Sequence, residues 1–187
     1  MAEQTVQTEK EPFNLKKELL EWVKAILAAG VIVFILFNFI IQVVTVDGSS
    51  MCPTLSDGDR LIISNLFYEP ANGDIVILSE KTGLDEALVK RIIALPGQTV
   101  DINENGEVLV DGKLISEPYI METIQVENRG DHTYPVTVPE GCVFVMGDNR
   151  NHSTDSRFSD VGFVEEKEIL GRVLIRLLPL QKIGPVE

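Results

Sequence analysis

Basic residues are scarce in this chain. Its 187 residues include 16 Lys and Arg against 29 Asp and Glu, which gives a formal net charge of −13. A protein that binds nucleic acid needs a basic face to neutralise phosphates, so the charge balance argues against a nucleic-acid partner. The length suits one well-buried domain with one extra element, and no low-complexity tract or solenoid repeat is present.

Cysteine and histidine are also rare, with two of each. Cys52 and Cys142 form no C-x-x-C pair, and His132 and His152 lack the spacing of zinc ligands. A structural zinc site needs four ligands and a catalytic one three, so we expect no metal and no cofactor. One disulfide is possible, but two unpaired thiols are the simpler expectation.

One long apolar run stands out. It covers residues 25–46, AILAAGVIVFILFNFIIQVVTV, with Asn38, Gln42 and Thr45 as polar interruptions. About 22 helical residues at about 1.5 Å each reach about 33 Å, enough to cross a hydrocarbon core of about 30 Å. A buried core helix would carry a polar face, and a cleavable signal peptide would be shorter. We predict an uncleaved transmembrane helix over 25–46, preceded by a tail over 1–24.

Lysines flank this run on its N-terminal side. It is preceded by Lys10, Lys16, Lys17 and Lys24, whereas the first basic residue after it is Arg60. By the positive-inside rule the N-terminus is cytoplasmic. The expected location is the plasma membrane, with a single span in contact with the lipid bilayer and residues 47–187 on its outer face.

After the run, short apolar stretches alternate with turn residues. Asn105-Gly106 and Asp111-Gly112 lie between such stretches and are strong β-hairpin signals. Pro96-Gly97 ends a stretch whose β-branched residues favour a strand over a helix. We predict a mainly β domain, an antiparallel β sandwich or open barrel. Its expected strands lie at residues 59–64, 74–79, 88–95, 99–102, 107–110, 142–147 and 170–178.

Two clusters could supply a serine nucleophile and its base. Serine hydrolysis needs a nucleophile, a group that takes its proton, and donors for the oxyanion. Ser50 lies in the first cluster, residues 48–55. Lys90, in the second cluster at 89–97, would share a strand face with Leu88 and Ile92. Burial among such groups could lower its pKa by several units from about 10.4, although a solvated edge-strand lysine fits equally well.

Other interpretations are open on these residues alone. His152 has aspartates nearby and could complete a Ser-His-Asp triad. A sortase-like transpeptidase would use Cys142 with His132 or Arg150. The third cluster, residues 147–157, fits a polar loop held by Asp–Arg pairs. A non-enzymatic anchored β module would leave all three clusters unexplained.

Four segments together resemble type I signal peptidases. Residues 50–55, SMCPTL, are similar to the S-M-x-P-T-L nucleophile motif, and residues 90–97, KRIIALPG, to the K-R-x-x-x-x-P-G base motif. Residues 147–157, GDNRNHSTDSR, resemble the signature G-D-N-R-x-x-S-x-D-S-R. Residues 72–76, NGDIV, resemble R-G-D-[IV]-V with Asn in place of Arg. The order matches the family, and the small exposed domain resembles the form common in Gram-positive bacteria.

The resemblance implies a serine endopeptidase that removes signal peptides from exported preproteins after small residues, at A-x-A-like sites, through an acyl-enzyme. It makes Ser50 the nucleophile and Lys90 the general base, with Ser153 hydrogen-bonded to the lysine amine. The same resemblance implies that the site is braced by Arg91, Asp148, Arg150, Asp155 and Arg157.

The resemblance also implies a substrate groove with shallow apolar pockets, where an extended leader adds as a strand. Gly48 departs from some relatives, which carry at this position a serine whose hydroxyl helps to hold the oxyanion. The second oxyanion donor is left open among a backbone N–H, Ser49 and water. The residues matching the groove positions are Val44, Val46, Ala87 and Val89.

Overall fold

The structure is a computed structural model that describes residues 15–35, 42–84 and 86–186. The chain divides into two compact units, Met1–Phe39 and Ile40–Glu187. In the first unit the described element is helix α1, Leu15–Ile35. Its apolar residues are exposed, among them Trp22, Ile26 and Phe34.

The second unit is built of short strands. In the described residues they are β1 Gln42–Thr45, β2 Arg60–Ser64, β3 Ile75–Leu78, β4 Leu88–Ala94, β5 Thr99–Ile102, β6 Val108–Val110, β7 Lys113–Leu114, β8 Val136–Thr137, β9 Cys142–Met146, β10 Val164–Glu165, β11 Ile169–Leu178 and β12 Gly184–Pro185. Single-turn 3-10 helices lie at Val126–Asn128, Glu166–Glu168 and Leu180–Lys182.

The strands form two antiparallel sheets. The larger has the order β1-β2-β11-β3-β4-β9-β10, with β12 also paired to β11. The smaller has the order β7-β6-β5-β8. The prediction of a mainly antiparallel β domain is confirmed, and each of the seven strands expected from sequence is present with its bounds shifted by at most one residue.

Apolar clusters fill the β domain on both sides of the larger sheet. One joins the two sheets and includes Ile93, Val100 and Phe144. A second packs against β3, β4, β9 and β11 and includes Val76. The third involves β1, β2, β3 and β11. Burial of each such side chain contributes about 1.5–3 kcal/mol, so these clusters fix the strands that carry the site.

The end of the predicted transmembrane helix is wrong. Residues 42–45 form β1, which pairs with β2 from Gln42↔Ile63 to Thr45↔Arg60. The β-branched residues Val43, Val44 and Thr45 favour a strand, but they continue the apolar run, which on its own predicts a helix up to residue 46. The β unit therefore begins before residue 47, and residues 36–41 lie outside the described part.

In residues 15–35, 42–84 and 86–186, none of the helices combines the length and the apolar character that crossing a bilayer requires. Membrane anchoring by the apolar segment before β1 stays a prediction.

Candidate active site

Ser50 lies in the loop that follows β1. Two buried side chains of this loop, Met51 and Leu55, belong to the apolar cluster of β1, β2 and β3 and are 1% and 0% exposed. Leu55 N–H also donates to the Met51 carbonyl at 2.9 Å. The alternation of apolar and polar residues in SMCPTL thus buries two anchors and leaves the half-buried Ser50 at the surface of the loop.

Lys90 lies in the middle of β4 and is 2% exposed. Its strand partner is Val76 on β3, and both Leu88 and Ile92 along β4 are buried. The Nζ of Lys90 donates a hydrogen bond to Ser50 Oγ at 2.8 Å. The structure therefore brings together the two residues that the sequence predicts to be catalytic, 40 positions apart in the chain.

The surroundings of Lys90 lower its pKa from the ordinary value near 10.5. Burial is the largest cause, because the charged ammonium loses its hydration, and the positive charge of Arg157 acts in the same direction. Asp155 and Glu86 oppose the shift through their negative charges. The net effect favours a neutral amine beside the Ser50 hydroxyl.

Asp148 links β4, the strand that carries Lys90, to the loop that carries Ser50. Its carboxylate accepts two hydrogen bonds from Arg91, both at 2.8 Å, and a third from Thr54 Oγ1 at 2.5 Å. The next residue, Asn149, donates its backbone N–H to the Ser50 carbonyl at 2.9 Å. A bidentate Arg–carboxylate pair has a fixed geometry, so these bonds hold Ser50 and Lys90 in register.

Asp155 and Arg157 form a fully buried ion pair with Nε–Oδ1 at 2.8 Å and Nη2–Oδ2 at 2.9 Å. Asp155 also accepts the backbone N–H of Gly147 at 2.9 Å. Burial alone would raise the pKa of Asp155, but Arg157, the Gly147 N–H and the nearby Ser153 hydroxyl outweigh burial and lower it. The pair braces the loop that follows β9.

The predicted hydrogen bond between Ser153 and the Lys90 amine is wrong. Ser153 Oγ is buried, and in the described part of the chain it makes no hydrogen bond to the Lys90 amine. The hydroxyl lies against the backbone of Gly147 instead, where an added Cβ would overlap both Ser153 Oγ and the Ser50 carbonyl oxygen. Gly147 is therefore required by close packing beneath the nucleophile.

Two residues of the site had no signal in the sequence. Tyr119 lies beneath Arg91, with the guanidinium carbon 3.8 Å from the ring centroid. Glu117 forms a buried ion pair with Arg150 at 2.5 Å and accepts the Tyr119 hydroxyl at 3.3 Å. Burial raises the pKa of Tyr119 to about 12, so the ring stays neutral. Both residues belong to a connection without periodicity, and only their three-dimensional contacts reveal them.

The predicted groove residues differ in how deeply the structure buries them. Val46 is buried in the cluster that holds Met51, and Val44 and Val89 pack against the same cluster. Ala87 is exposed, just before β4 begins. These positions lie on the two segments that lead to Ser50 and to Lys90.

Gly48 adopts φ +86°, a left-handed conformation that favours glycine. Its N–H donates to Asp57 Oδ1 at 2.9 Å. This bond fixes the turn before Ser50.

The alternatives based on histidine and cysteine receive no support from the geometry. His132 contacts Ser156 O at 3.0 Å and packs on Phe163 with ring centroids 5.5 Å apart. His152 is exposed, and both cysteines are free and half-buried. Across the described ranges, no group of three or more His, Cys, Asp or Glu is placed to hold a metal ion.

Comparison with known proteins gives the family. Residues 19–178 match the model of the family described as signal peptidase, peptidase S26. "Signal peptidase I" of Bacillus licheniformis is 40% identical over 187 aligned positions, which cover 94% of this chain and 97% of that protein. "Probable signal peptidase I-1" of Synechocystis is 39% identical, covering 88% of this chain and 85% of the relative.

A third relative and one solved structure are also similar to this chain. "Signal peptidase IB" of Staphylococcus aureus is 35% identical over 90% of this chain and 94% of its own length. A crystal structure of a signal peptidase I from Enterococcus faecalis V583 aligns with a TM-score of 0.46 and 32% identity, over 56% of this chain and 97% of that one. By its family match and near full-length relatives, this chain belongs to the signal peptidase I family of serine endopeptidases, peptidase family S26.

Proposed function

We propose that Ser50 is the acylated nucleophile and Lys90 the general base in the removal of signal peptides. The observation that carries this proposal is the 2.8 Å contact between Lys90 Nζ and Ser50 Oγ. When the amine is neutral, the hydrogen bond runs in the opposite direction, and the Ser50 hydroxyl donates to Nζ. Burial of Lys90 supplies the neutral amine, because it disfavours the charged form.

The reaction then follows in two stages. Ser50 Oγ attacks the carbonyl carbon before the scissile bond while Lys90 takes the hydroxyl proton. The tetrahedral oxyanion collapses, the C–N bond breaks, and the amine of the mature protein leaves with the proton from Lys90. Lys90 then deprotonates a water that attacks the ester carbonyl. The C–Oγ bond breaks, Ser50 Oγ takes the proton back from Lys90, and the signal peptide is released.

We propose that cleavage follows small residues, at A-x-A-like sites. Val44 and Val89 pack against one apolar cluster beside the nucleophile loop, and Val46 is buried within it. Side chains that fill this space leave shallow pockets, which fit alanine better than larger residues. β1 pairs on one side with β2, so an extended leader has a strand edge on which to add.

We propose that the apolar segment that begins at residue 25 and ends before β1 anchors the chain in the plasma membrane, with the catalytic domain on the outer face. Support comes from the apolar sequence of this segment, from the lysines before it and from the exposed apolar residues of α1. An anchored enzyme meets its substrate where the leader leaves the bilayer.

Cleavage of one purified preprotein tests the catalytic pair of Ser50 and Lys90, which we call the dyad. The full chain in detergent should process a substrate with an A-x-A leader, and Ser50→Ala should abolish processing. Lys90→Met should lower kcat/KM by about 10²–10⁴-fold, the usual contribution of a general base, while the protein stays folded. N-terminal sequencing of the product gives the position of the cut.

Two matched variants serve as controls. Lys113→Ala removes an exposed strand lysine, and Cys142→Ala removes the thiol that a sortase-like mechanism would need. Both should keep full activity. Processing by folded Lys90→Met at the unaltered rate would end the dyad proposal.

A further inference from the structure

A cavity of about 410 Å³ opens beside the nucleophile loop. This volume falls within the range of about 300–1,000 Å³ that is typical of small-ligand sites. The cavity is lined mainly by proline, valine and tyrosine side chains, with Pro53, Thr54, Tyr119, Arg176, Pro185 and Val186 among its walls.

The walls of this cavity are fixed to the segments that carry the dyad. Thr54 Oγ1 donates to Asp148, whose neighbour Asn149 binds the Ser50 carbonyl. Tyr119 stacks on Arg91, the residue after Lys90. The cavity and the dyad therefore share one rigid frame.

The direction of the substrate places the cavity after the scissile bond. In the proposed pose the leader lies along Val44–Val46, upstream of Ser50, and the mature part continues past Ser50 on the side of the loop that contains Pro53. Ser50 and Pro53 are three residues apart, so their Cα atoms lie within about 11 Å. An extended peptide advances about 3.3–3.6 Å per residue, which brings its second to fourth residues after the cut within reach of the cavity.

The chemistry of the walls favours an apolar occupant. Arg176 is 9% exposed and its charge is matched by Asp59 at 3.1 Å, so the cavity presents no free charge from this pair. Arg176 Nη2 donates to the Thr54 carbonyl at 2.7 Å. Its buried Nε–H has no acceptor in the described part of the chain, and a peptide carbonyl that enters would supply one.

We propose that this cavity is a specificity subsite for the mature side of the substrate, where an apolar side chain two to four residues after the cut binds against the chain's own C-terminal residues. The proposal rests on the proposed cleavage reaction and adds to it a contact beyond the leader. Pro185 and Val186 reach the cavity because β12 pairs with β11 at Arg176↔Gly184 and Ile175↔Pro185.

Preproteins with one common A-x-A leader test the subsite. Their second to fourth mature residues are all Leu, all Gly or all Asp, and kcat/KM is measured for each with the full chain. We expect the Leu substrate to exceed the Gly and Asp substrates roughly tenfold, as for an apolar pocket that gains a side chain. Val186→Trp, which fills the cavity, should remove this preference, so that the Leu and Gly substrates have equal kcat/KM when both are measured with this variant.

Two further variants make the result decisive. Val126→Trp places the same side chain at an exposed position and should keep the preference. Val186→Gly widens the cavity, so the preference should move from Leu towards Phe even if the Trp variant fails to fold. Equal kcat/KM for all three substrates, or a Leu preference that survives both Val186 variants, overturns the subsite. Cleavage that still requires Ser50 in that case leaves the proposed reaction intact.

Discussion

Lys90 lies among charges that act on its pKa in opposite directions. Burial and Arg157 lower the pKa, whereas Asp155 and Glu86 raise it. Asp155 is bound to Arg157 and cannot be changed without breaking a buried pair. Glu86 is exposed just before β4, so its charge can be removed with little effect on the fold.

Glu86→Gln should therefore shift the pH dependence of kcat/KM to lower pH. The active form requires neutral Lys90, so activity rises as pH increases through the lysine pKa, and removal of a nearby negative charge lowers that pKa further. The measurement is a pH–rate profile of wild type and variant on one peptide substrate. Glu104→Gln, an exposed site, is the control and should leave the profile in place; a shift to higher pH would contradict the assignment of Lys90.

The residues of the site differ in how far sequence could predict them. Ser50 and Lys90 occupy motif positions, and their contact follows from those motifs. Ser153 also occupies a motif position, but its hydroxyl makes no hydrogen bond to Lys90, because a motif position does not give the orientation of a side chain. Glu117 and Tyr119 were missed because their contacts with arginines join segments about 30 residues apart, and no local pattern encodes such contacts.

At the level of elements, the nucleophile loop and the loop after β9 are packed against each other. Asn149 donates its N–H to the Ser50 carbonyl at 2.9 Å, and Gly147 lies beneath that carbonyl. The two loops therefore move as one, and the position of the nucleophile depends on a residue almost 100 positions away.

Gly147→Ala should displace Ser50 and lower kcat/KM by about 10²-fold, the cost of a shift of roughly 1 Å in a catalytic group. The added Cβ meets the backbone of Ser50, which cannot rotate away as a flexible side chain could. Gly30→Ala is the control, since an added Cβ there meets open space. Peptide cleavage and thermal unfolding measure both variants. An unchanged kcat/KM for Gly147→Ala would show that the loop adapts.

The strands were predictable because alternating apolar residues and turn pairs mark them locally. β1 was not, since its four residues continue an apolar run that began in α1. The strand order could not be predicted from the sequence either, because β11 inserts between β2 and β3, more than 90 residues away in sequence. Such pairing is decided by packing of the whole sheet rather than by local pattern.

At the scale of the whole molecule, the prediction concerns attachment to the membrane. α1 and the β domain are separate units, and the apolar clusters of the β domain are formed from its own strands and loops. Residues 40–187 carry 24 acidic and 12 basic side chains, a net charge of −12 that favours solubility of this domain in water. Retention at the membrane should then depend on the N-terminal segment alone.

Ile32→Lys with Val33→Lys should release the protein from membranes. Each lysine in the centre of a span costs about 2.5–3.5 kcal/mol. The measurement is extraction of expressing cells with alkaline carbonate, where wild type should stay with the membrane pellet. Met121→Lys with Val126→Lys, two exposed apolar sites of the β domain, should stay there too. Wild type in the supernatant would refute the anchor.

The buried amine of Lys90 also sets how folding responds to pH. The unfolded chain holds a proton on this lysine up to about pH 10.4, whereas the folded protein loses it at lower pH because its pKa is lowered. Between those two values folding expels a proton, so the contribution of Lys90 to stability improves as pH rises. Below that window the native state must tolerate an ammonium in apolar surroundings, and the enzyme accepts a less stable fold in exchange for a reactive base.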